Sequence, residues 1–202
     1  MNIDYVFKLI IVGDSMSGKS SLLNKSCNNK YNAFYEATIG VDFIVKINKM
    51  IDGKLIKSHI WDTAGQKCFS SIIRNYYKGT AGIIYVFDKS NRRSFDNIKF
   101  WLNEVYESGV DNIPSMLIGN KVDKVSKVSS CEASKYASKK GMIYMETSAK
   151  KGINTSEFLD IFIKNIYNNM DEYSEGIRKI TEYKKNIDAE DNKEENCCCL
   201  IC

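Results

Sequence analysis

Short apolar runs recur along the chain and predict buried β-strands. They cover residues 5–12 (YVFKLIIV), 82–88 (GIIYVFD), 115–119 (SMLIG) and 142–145 (MIYM). Polar or glycine-containing segments bound each run, which is typical of strands that a parallel sheet buries on both faces. Residues 41–51 (VDFIVKINKMI) instead alternate between apolar and polar, so they predict a strand at the edge of the sheet.

Asp52 and Gly53 separate this alternating segment from residues 55–61, which also predict a strand. An Asp-Gly pair between two strand patterns favours a two-residue hairpin turn of type I′. The two segments are therefore expected to pair as antiparallel strands.

Segments with helical character lie between the strands. The first of them places Leu22 and Leu23 on its inner side, and the third has apolar residues at helical spacing. The predicted helices cover residues 21–29, 67–77, 94–105, about 130–140 and about 154–170. Strands that alternate with helices predict a doubly wound α/β fold: a six-stranded sheet, mainly parallel with one antiparallel strand, flanked by five helices.

The composition indicates one globular domain followed by a tail. The chain has 202 residues, of which 44% are hydrophobic, and we expect the domain to cover residues 1–170. Residues 171–202 hold nine acidic and five basic side chains, so the tail carries −4 and leaves +8 on the body. The lysines of the body are dispersed and form no basic cluster interleaved with aromatic residues, so nucleic-acid binding is not expected.

Cysteine usage and the absence of long apolar runs bound the cellular setting. No run of about 18 apolar residues predicts a membrane span, and residues 1–14 lack the features of a signal peptide. Three cysteines are scattered singly and four crowd into the last six residues. This pattern indicates a reducing cytosol and a specialised C-terminus rather than a disulfide framework.

Residues 10–21 (IIVGDSMSGKSS) combine a strand end, a glycine-rich loop and a helix start. They contain Gly13-x-x-x-x-Gly18-Lys19-Ser20, the spacing of a P-loop, in which backbone N–H groups and a helix N-terminus surround a phosphate. Lys19 can reach the β- and γ-phosphates, and the Ser20 hydroxyl can bind Mg²⁺. A simple polar turn is the alternative, which the strand before the loop and the helix after it disfavour. The residues of this loop predicted to bind nucleotide are Ser15, Ser17, Gly18, Lys19, Ser20 and Ser21.

Further polar residues follow other predicted strands, where open α/β sheets place their ligands. Asp62 can hold Mg²⁺ through water. Thr38 instead lies in the loop between the first helix and the second strand, and it can complete the Mg²⁺ ligands while a γ-phosphate is present. Gly65 allows a backbone N–H to approach that phosphate closely.

Two later segments offer partners for a purine base. Asn120-Lys121-x-Asp123 supplies a carboxylate that can accept from two base N–H donors and a lysine stem that can cover a ring. Ser148, Ala149 and Lys150 supply a backbone N–H for a base carbonyl oxygen. This set fits guanine and not adenine, which has no carbonyl oxygen. Taken singly, each segment could instead be a loop that caps a helix.

Five segments together resemble the guanine-nucleotide motifs of the Rab family of small GTPases, and YYKG (76–79) and YVFD (85–88) also resemble segments that distinguish Rab proteins. The five are GDSMSGKS (13–20), TIGVDF (38–43), WDTAGQ (61–66), GNKVD (119–123) and ETSAK (146–150). The resemblance implies a membrane-trafficking switch that binds GTP or GDP with Mg²⁺. It also implies effectors for the GTP state, an exchange factor, a GTPase-activating protein (GAP) and a GDP-dissociation inhibitor.

The resemblance assigns roles to three more residues. It implies that Tyr31 stacks on guanine, that Tyr35 closes over the phosphates and that Gln66 orients the attacking water. Three positions depart from the family pattern. Met16 replaces a glycine or alanine of the P-loop, and Lys67 and Cys68 replace a glutamate and an arginine, which alters the charge that regulators would meet.

The residues also bear on the rate of hydrolysis. Phosphoryl transfer relies on positioning and charge stabilisation, and no arginine precedes Arg74, so the loop near Thr38 cannot supply an arginine finger. We expect slow intrinsic hydrolysis and a gain of roughly 10³- to 10⁵-fold from a partner's arginine. The alternative is a nucleotide-dependent binding module with negligible hydrolysis. A P-loop kinase would require an acceptor site and a lid arginine cluster, and the sequence displays neither.

The last six residues, CCCLIC, resemble the paired-cysteine prenylation sites of the family, with Cys198 and Cys199 as acceptors. A metal-binding thiol cluster is the alternative. Because the tail is acidic, anionic lipid cannot attract it, and two lipid chains are expected to anchor the protein to the cytosolic face of an endomembrane, with a cytosolic pool. A 3-4 spacing of apolar residues from Met170 to Ile187 leaves two possibilities open for the tail, an amphipathic helix or a disordered linker.

Overall fold

The computed structural model describes residues 3–32, 38, 40–50, 52–66, 73–110 and 112–170. Within these residues, six strands form one sheet in the order β2-β3-β1-β4-β5-β6. The strands are β1 (Tyr5–Val12), β2 (Val41–Lys49), β3 (Leu55–Thr63), β4 (Gly82–Asp88), β5 (Ser115–Asn120) and β6 (Ile143–Glu146). The α-helices are α1 (Lys19–Asn28), α2 (Arg92–Asp96), α3 (Ile98–Glu107), α4 (Ser130–Lys139) and α5 (Glu157–Asn168), and a short 3₁₀ turn covers Arg74–Tyr76.

The pairing of the strands confirms the predicted α/β class. β2 runs antiparallel to β3, whereas β1 pairs in parallel with β3 and β4, β4 with β5, and β5 with β6. The alternating segment forms the edge strand β2, as predicted, and the other apolar runs lie inside the sheet or at its opposite edge. Because five strands run in the same direction, their carboxyl ends share one edge of the sheet, and the candidate motifs follow these ends.

Alternate residues of the strands feed two hydrophobic cores, one on each face of the sheet. One core receives Leu9 and Ile11 of β1 and packs against α1 and α5. The other receives Ile10 and Val12 and packs against α2, α3 and α4. Both faces of the central strands are therefore buried, which explains why these strands have continuous apolar sequences rather than alternating ones.

The hairpin turn differs from its prediction. Type I′ requires a positive φ at both central residues, but of Asp52 and Gly53 only Gly53 has one, at 85°. The loop instead closes with a hydrogen bond from the Met50 N–H to the Lys54 carbonyl oxygen at 2.8 Å, and the Asp52 carboxylate accepts from the Lys54 N–H at 3.2 Å. The side chain of Asp52 thus supplies a local backbone acceptor, which favours the longer turn.

The predicted helix at residues 94–105 is two helices that meet at Asn97. The first begins at Arg92, two residues earlier than predicted, because the Asn91 side chain caps it by accepting from the Arg93 N–H. At the junction, the Asn97 side chain donates to Asp14 of the loop after β1 at 2.7 Å. α1 also begins earlier than predicted, at Lys19, so Lys19 and Ser20 of the P-loop both lie in its first turn.

The remaining expectations concern a membrane-spanning helix and the C-terminal tail. None of the described helices has the length and apolar composition required to cross a bilayer. Residues 171–202, with Cys198 and Cys199, lie outside the described residues, as do Tyr35, Lys67 and Cys68. The division into a domain of residues 1–170 and a tail therefore stays a prediction.

Candidate functional site

The predicted motifs lie together at the carboxyl edge of the sheet. The loop of residues 13–18 follows β1, residues 64–66 follow β3, Asn120 ends β5 and residues 121–123 follow it, and residues 147–150 follow β6. Direct hydrogen bonds join these loops, so motifs far apart in sequence form one continuous surface.

Two glycines of the loop after β1 are required by close contacts. Gly13 has φ 147°, and a Cβ there would lie 2.1 Å from the carbonyl oxygen of Val86. Gly18 has φ 92°, and a Cβ there would lie 2.5 Å from the side-chain nitrogen of Asn120. Only glycine fits both positions, so this glycine spacing reflects the packing of the loop as well as its predicted phosphate chemistry.

Met16 occupies a conformation that glycine adopts more easily. Its φ is 64°, in the left-handed region, and its side chain is 63% exposed. The exposure avoids a steric clash, but the backbone conformation costs roughly 1–2 kcal/mol for a residue with a Cβ. The Lys121 ammonium donates to the Met16 carbonyl oxygen and so helps to hold this conformation.

Lys19 is buried against the loop that precedes it. Its ammonium donates to the carbonyl oxygens of Gly13 at 2.9 Å and Asp14 at 3.2 Å. Burial lowers the pKa of Lys19 from 10.5 to about 8, although the carboxylates of Asp62 and Asp14 act in the opposite direction. Because these two carbonyl groups are the hydrogen-bond partners of the ammonium among the described residues, one further N–H can be offered to an anion.

The lowered pKa predicts that nucleotide binding takes up a proton near pH 8.5. A bound phosphate favours the charged ammonium, so the pKa of Lys19 rises on binding and the affinity falls as pH rises through about 8. In the ligand-free protein the unfolded chain binds more protons between pH 8 and 10.5, so the contribution of Lys19 to stability rises with pH across that window. Titration calorimetry of GDP in two buffers of different ionisation enthalpy measures the uptake. A Lys19→Arg variant, which stays charged, is the control, and equal uptake by both proteins would contradict the assignment.

Ser20, Thr38 and Asp62 form a cluster of oxygen atoms beside the loop. The Ser20 and Thr38 hydroxyl oxygens are 2.9 Å apart, and the Thr38 hydroxyl donates to Asp62 Oδ2 at 3.4 Å. The other carboxylate oxygen of Asp62, Oδ1, is buried and has no hydrogen-bond partner among the described residues. Burial raises the pKa of the Asp62 carboxyl above its usual range, against the opposing effects of Ser20, Lys19 and Thr38.

This cluster fits a magnesium ion. Mg²⁺ prefers hard oxygen ligands, retains several waters and is commonly bound by one carboxylate and a hydroxyl near a phosphate. A buried carboxylate oxygen without a partner is otherwise unfavourable, and a cation would compensate it. The three residues predicted to hold Mg²⁺ from sequence are therefore adjacent in the structure.

The loop after β3 packs directly on the loop after β1. The Gly65 carbonyl oxygen accepts from the Ser15 N–H at 2.8 Å, and a Cβ on Gly65 would lie 2.3 Å from the Ser15 nitrogen and 2.6 Å from Lys19 Nζ. Gly65 is thus the point of closest approach between these two loops, and the described contact uses its carbonyl group rather than its N–H. Gln66, the next residue, is exposed.

Asn120 joins three of the motifs. It is fully buried, and its side-chain N–H group donates to the Ser17 carbonyl oxygen at 3.0 Å. Its side-chain oxygen accepts from the Thr147 hydroxyl at 3.2 Å and from the Ala149 N–H at 3.4 Å. Asn120 therefore fixes the loops after β1, β5 and β6 relative to one another rather than projecting toward solvent.

The residues predicted to contact a base lie beside Asn120. The Ser148 hydroxyl donates to the Asp123 carboxylate, and the same oxygen accepts from the Lys151 N–H at 3.0 Å. Lys121 has φ 63° and its ammonium pairs with the Asp88 carboxylate at 2.9 Å. Lys150 is exposed, and so is Tyr31, which lies just after α1.

Sequence reasoning missed a second anchor of the loop after β1. Asp14 accepts from the side chain of Asn97 at 2.7 Å and from the indole N–H of Trp101 at 2.8 Å. Trp101 is fully buried, as its apolar spacing predicts, but its indole N–H stabilises the loop after β1. The signal available was the indole N–H itself, because a buried tryptophan requires an acceptor.

Comparison with known proteins agrees with this geometry. Residues 8–168 match the Ras family. The chain is 46% identical over 156 residues to "GTP-binding protein YPTM2" of Zea mays, which covers 76% of each chain. It is 43% identical over 189 residues to "Ras-related protein Rab-1" of Theileria parva, covering 92% of this chain and 81% of that one. It is also 46% identical over 156 residues to "Ras-related protein RABD2c" of Arabidopsis thaliana, covering 76% and 77%.

Proposed function

The chain belongs to the Ras family as a Rab-type small GTPase, which hydrolyses GTP and acts in vesicle trafficking, and from this premise we propose how its residues perform that function. We propose that it is a switch whose GTP and GDP states differ in the loops around Thr38 and Gly65, and whose hydrolysis depends on a GAP. The observation that carries this proposal is the convergence of Lys19, Asp62 and Gly65 at one point beside the loop after β1.

The phosphates are proposed to bind the Lys19 ammonium and the backbone N–H groups of residues 15–21. Binding by Ser15 requires its N–H to leave the Gly65 carbonyl oxygen, which it contacts in this structure. Ser20, Thr38 and Asp62 would hold Mg²⁺, which when bound neutralises negative charge on the phosphate oxygens. Loss of the terminal phosphate removes a partner from Gly65 and Thr38, so both loops can relax. This difference between the two states is what a partner protein can recognise.

Guanine specificity is proposed to come from Asp123, with Lys121 and Tyr31 covering the ring and residues 148–150 offering a backbone N–H. Asn120 supports these groups from beneath, as its buried hydrogen bonds indicate. Tyr35 is proposed to close over the phosphates.

The contacts of the first arginine support dependence on a GAP. The first arginine of the chain, Arg74, forms two hydrogen bonds with Glu104, at 3.1 and 2.8 Å, and another with Glu107 at 2.8 Å. An arginine held by two carboxylates is not available to stabilise a transition state elsewhere. Gln66 is proposed to orient the water, and a partner is proposed to supply the arginine.

Single-turnover hydrolysis of GTP by the purified chain tests this proposal. We expect slow hydrolysis alone and an acceleration of roughly 10³-fold or more when a catalytic GAP domain is added. A matched GAP whose arginine is replaced by lysine should give almost none of this gain. Fast unassisted turnover would contradict GAP dependence, and no acceleration by any GAP domain would favour the binding module with negligible hydrolysis.

The proposed partners beyond nucleotide are an exchange factor, a GAP, effectors and a GDP-dissociation inhibitor. Membrane attachment is proposed to occur through prenyl groups on Cys198 and Cys199, at the cytosolic face of an endomembrane. Two chains are required because one lipid gives only marginal binding. Mass spectrometry of the protein from its native cell should find two isoprenoids, and a tail without them would contradict this mode of attachment.

A further inference from the structure

Lys89 is a buried lysine that belongs to none of the five nucleotide motifs. It follows β4 and is only 4% exposed. Its ammonium donates to the Ser130 hydroxyl at 2.9 Å and forms an ion pair with the Glu146 carboxylate. A lysine is rarely buried unless it is paired, so this pair requires an explanation.

The backbone and stem of Lys89 contact the loop after β5. Its N–H donates to the Asn120 carbonyl oxygen at 2.9 Å, and its carbonyl oxygen accepts from the Lys127 N–H at 2.8 Å. A Cβ on Gly119 would lie 3.1 Å from Lys89 Cγ, so the absence of a side chain at Gly119 leaves room for the lysine stem. Lys89 therefore lies directly beneath the segment that carries Asp123.

Glu146 occupies the corresponding place beneath the loop after β6. It is the last residue of β6, so it immediately precedes residues 147–150. Its carboxylate also accepts from the Tyr144 hydroxyl at 2.8 Å, and its carbonyl oxygen accepts from the Asn154 side chain at 2.7 Å. Although burial alone would raise the pKa of Glu146, hydrogen bonds from Lys89, Ser130 and Tyr144 lower it, so the group stays charged at neutral pH.

Asp88, the residue before Lys89, makes a similar ion pair with the loop after β5. Asp88 pairs with the Lys121 ammonium at 2.9 Å and accepts from the Ser90 N–H at 2.8 Å. The Asp88 carboxylate thus pairs with Lys121 of the loop after β5, and the Lys89 ammonium pairs with Glu146, just before the loop after β6. These are the two loops proposed to recognise the base. Both loops are tied to a single turn after β4.

We infer that Lys89 and Glu146 form a positioning pair that sets the residence time and selectivity of the guanine base by fixing residues 120–123 against residues 147–150. The inference rests on the proposed base-binding role of Asp123 and extends it to residues that do not touch the nucleotide. Without Glu146 the buried Lys89 ammonium is left without its countercharge, and without Lys89 the partly exposed Glu146 carboxylate loses its ion pair. Either change weakens the link between the turn after β4 and the loop after β6.

The test uses the full chain and three variants: Lys89→Met, Glu146→Gln and the double variant. The rate of GDP dissociation and the ratio of GDP to inosine diphosphate (IDP) affinities are measured for each. Inosine lacks the 2-amino group proposed to donate to Asp123, so this ratio reports the alignment of the two loops. Each single variant should release GDP about tenfold faster and lower the ratio of GDP to IDP affinities, since loss of one member of a hydrogen-bonded charge pair acts mainly on dissociation. The double variant should be no worse than the poorer single one.

Lys54→Met is the matched control, because it breaks an exposed ion pair with Asp4, 3.0 Å long, in another part of the fold. It should leave both measurements unchanged. The inference would be overturned if the Lys89 and Glu146 variants had lower thermal stability but kept both the GDP dissociation rate and the GDP/IDP affinity ratio within twofold of the parent. If Lys89→Met fails to fold, Glu146→Gln, which keeps the side-chain shape, decides by the same criteria. Failure of the parent chain to bind GDP would instead refute the proposed function.

Discussion

An Asp123→Asn variant should lose affinity for GDP by roughly 10³-fold, because a site built to hydrogen-bond a substrate strongly rejects a mismatched partner. The carboxylate is proposed to accept from the N1–H and the 2-amino group of guanine, and an amide can accept only one of these bonds. The same amide can donate to the 2-carbonyl group of xanthine, so affinity for xanthosine diphosphate should rise. The hydrogen bond that the Ser148 hydroxyl donates to residue 123 can persist, since the amide retains an oxygen acceptor.

Calorimetric titration of both nucleotides into the nucleotide-free variant measures the change. Asp160→Asn is the matched control, because Asp160 of α5 pairs with Lys46 and Asn48 of β2, which are outside the candidate site, and should leave both affinities as they are. If Asp123→Asn keeps its preference for GDP, Asp123 does not read the base.

A Gln66→Leu variant should lose about 10³-fold or more of its GAP-stimulated hydrolysis rate and remain loaded with GTP. Leucine has a similar size but can neither donate to nor accept from a water molecule, and Gln66 is the exposed residue that follows Gly65. Gln66 directly follows Gly65, which contacts Ser15 of the loop proposed to bind the phosphates, so its place in the chain is beside the proposed phosphate site.

Single-turnover assays with a saturating GAP measure this effect, and the rate of GDP dissociation is the internal control. Dissociation should stay unchanged, because Gln66 is not proposed to hold GDP. A variant that keeps its stimulated rate would exclude Gln66 from the reaction, whereas faster loss of GDP would indicate damage to the loop instead.

Local patterns predicted the sheet and the position of the site because they depend on short-range rules. Alternation identified β2 as the edge strand, and continuous apolar runs identified the buried strands. Placement of Asp62 and Asn120 at strand ends then followed from the single direction of the parallel strands.

Details that depend on side chains distant in sequence were not predictable. The break at Asn97 reflects its hydrogen bond to Asp14, 83 residues earlier in the chain. The pair of Lys89 with Glu146 spans 57 residues, and in the sequence each appears as an ordinary polar residue after a strand. The turn at Asp52 was mispredicted because only Gly53 has a positive φ and because the Asp52 carboxylate accepts from the Lys54 N–H within a longer loop.

The Met16 departure has a local consequence that the sequence alone did not reveal. Its backbone adopts the left-handed conformation, which glycine adopts more easily, so the loop accommodates methionine without leaving that conformation. Its exposed side chain instead changes the surface that a regulator would meet.

Binding of guanine and adenine nucleotides to nucleotide-free protein in the presence of Mg²⁺ tests the central claim most directly. Isothermal calorimetry should give an affinity for GDP at least about 10³-fold above that for ADP, because adenine offers neither the N–H pair for Asp123 nor a carbonyl oxygen for the loop of residues 148–150. Equal affinities for the two nucleotides, or no binding of either, would contradict the account.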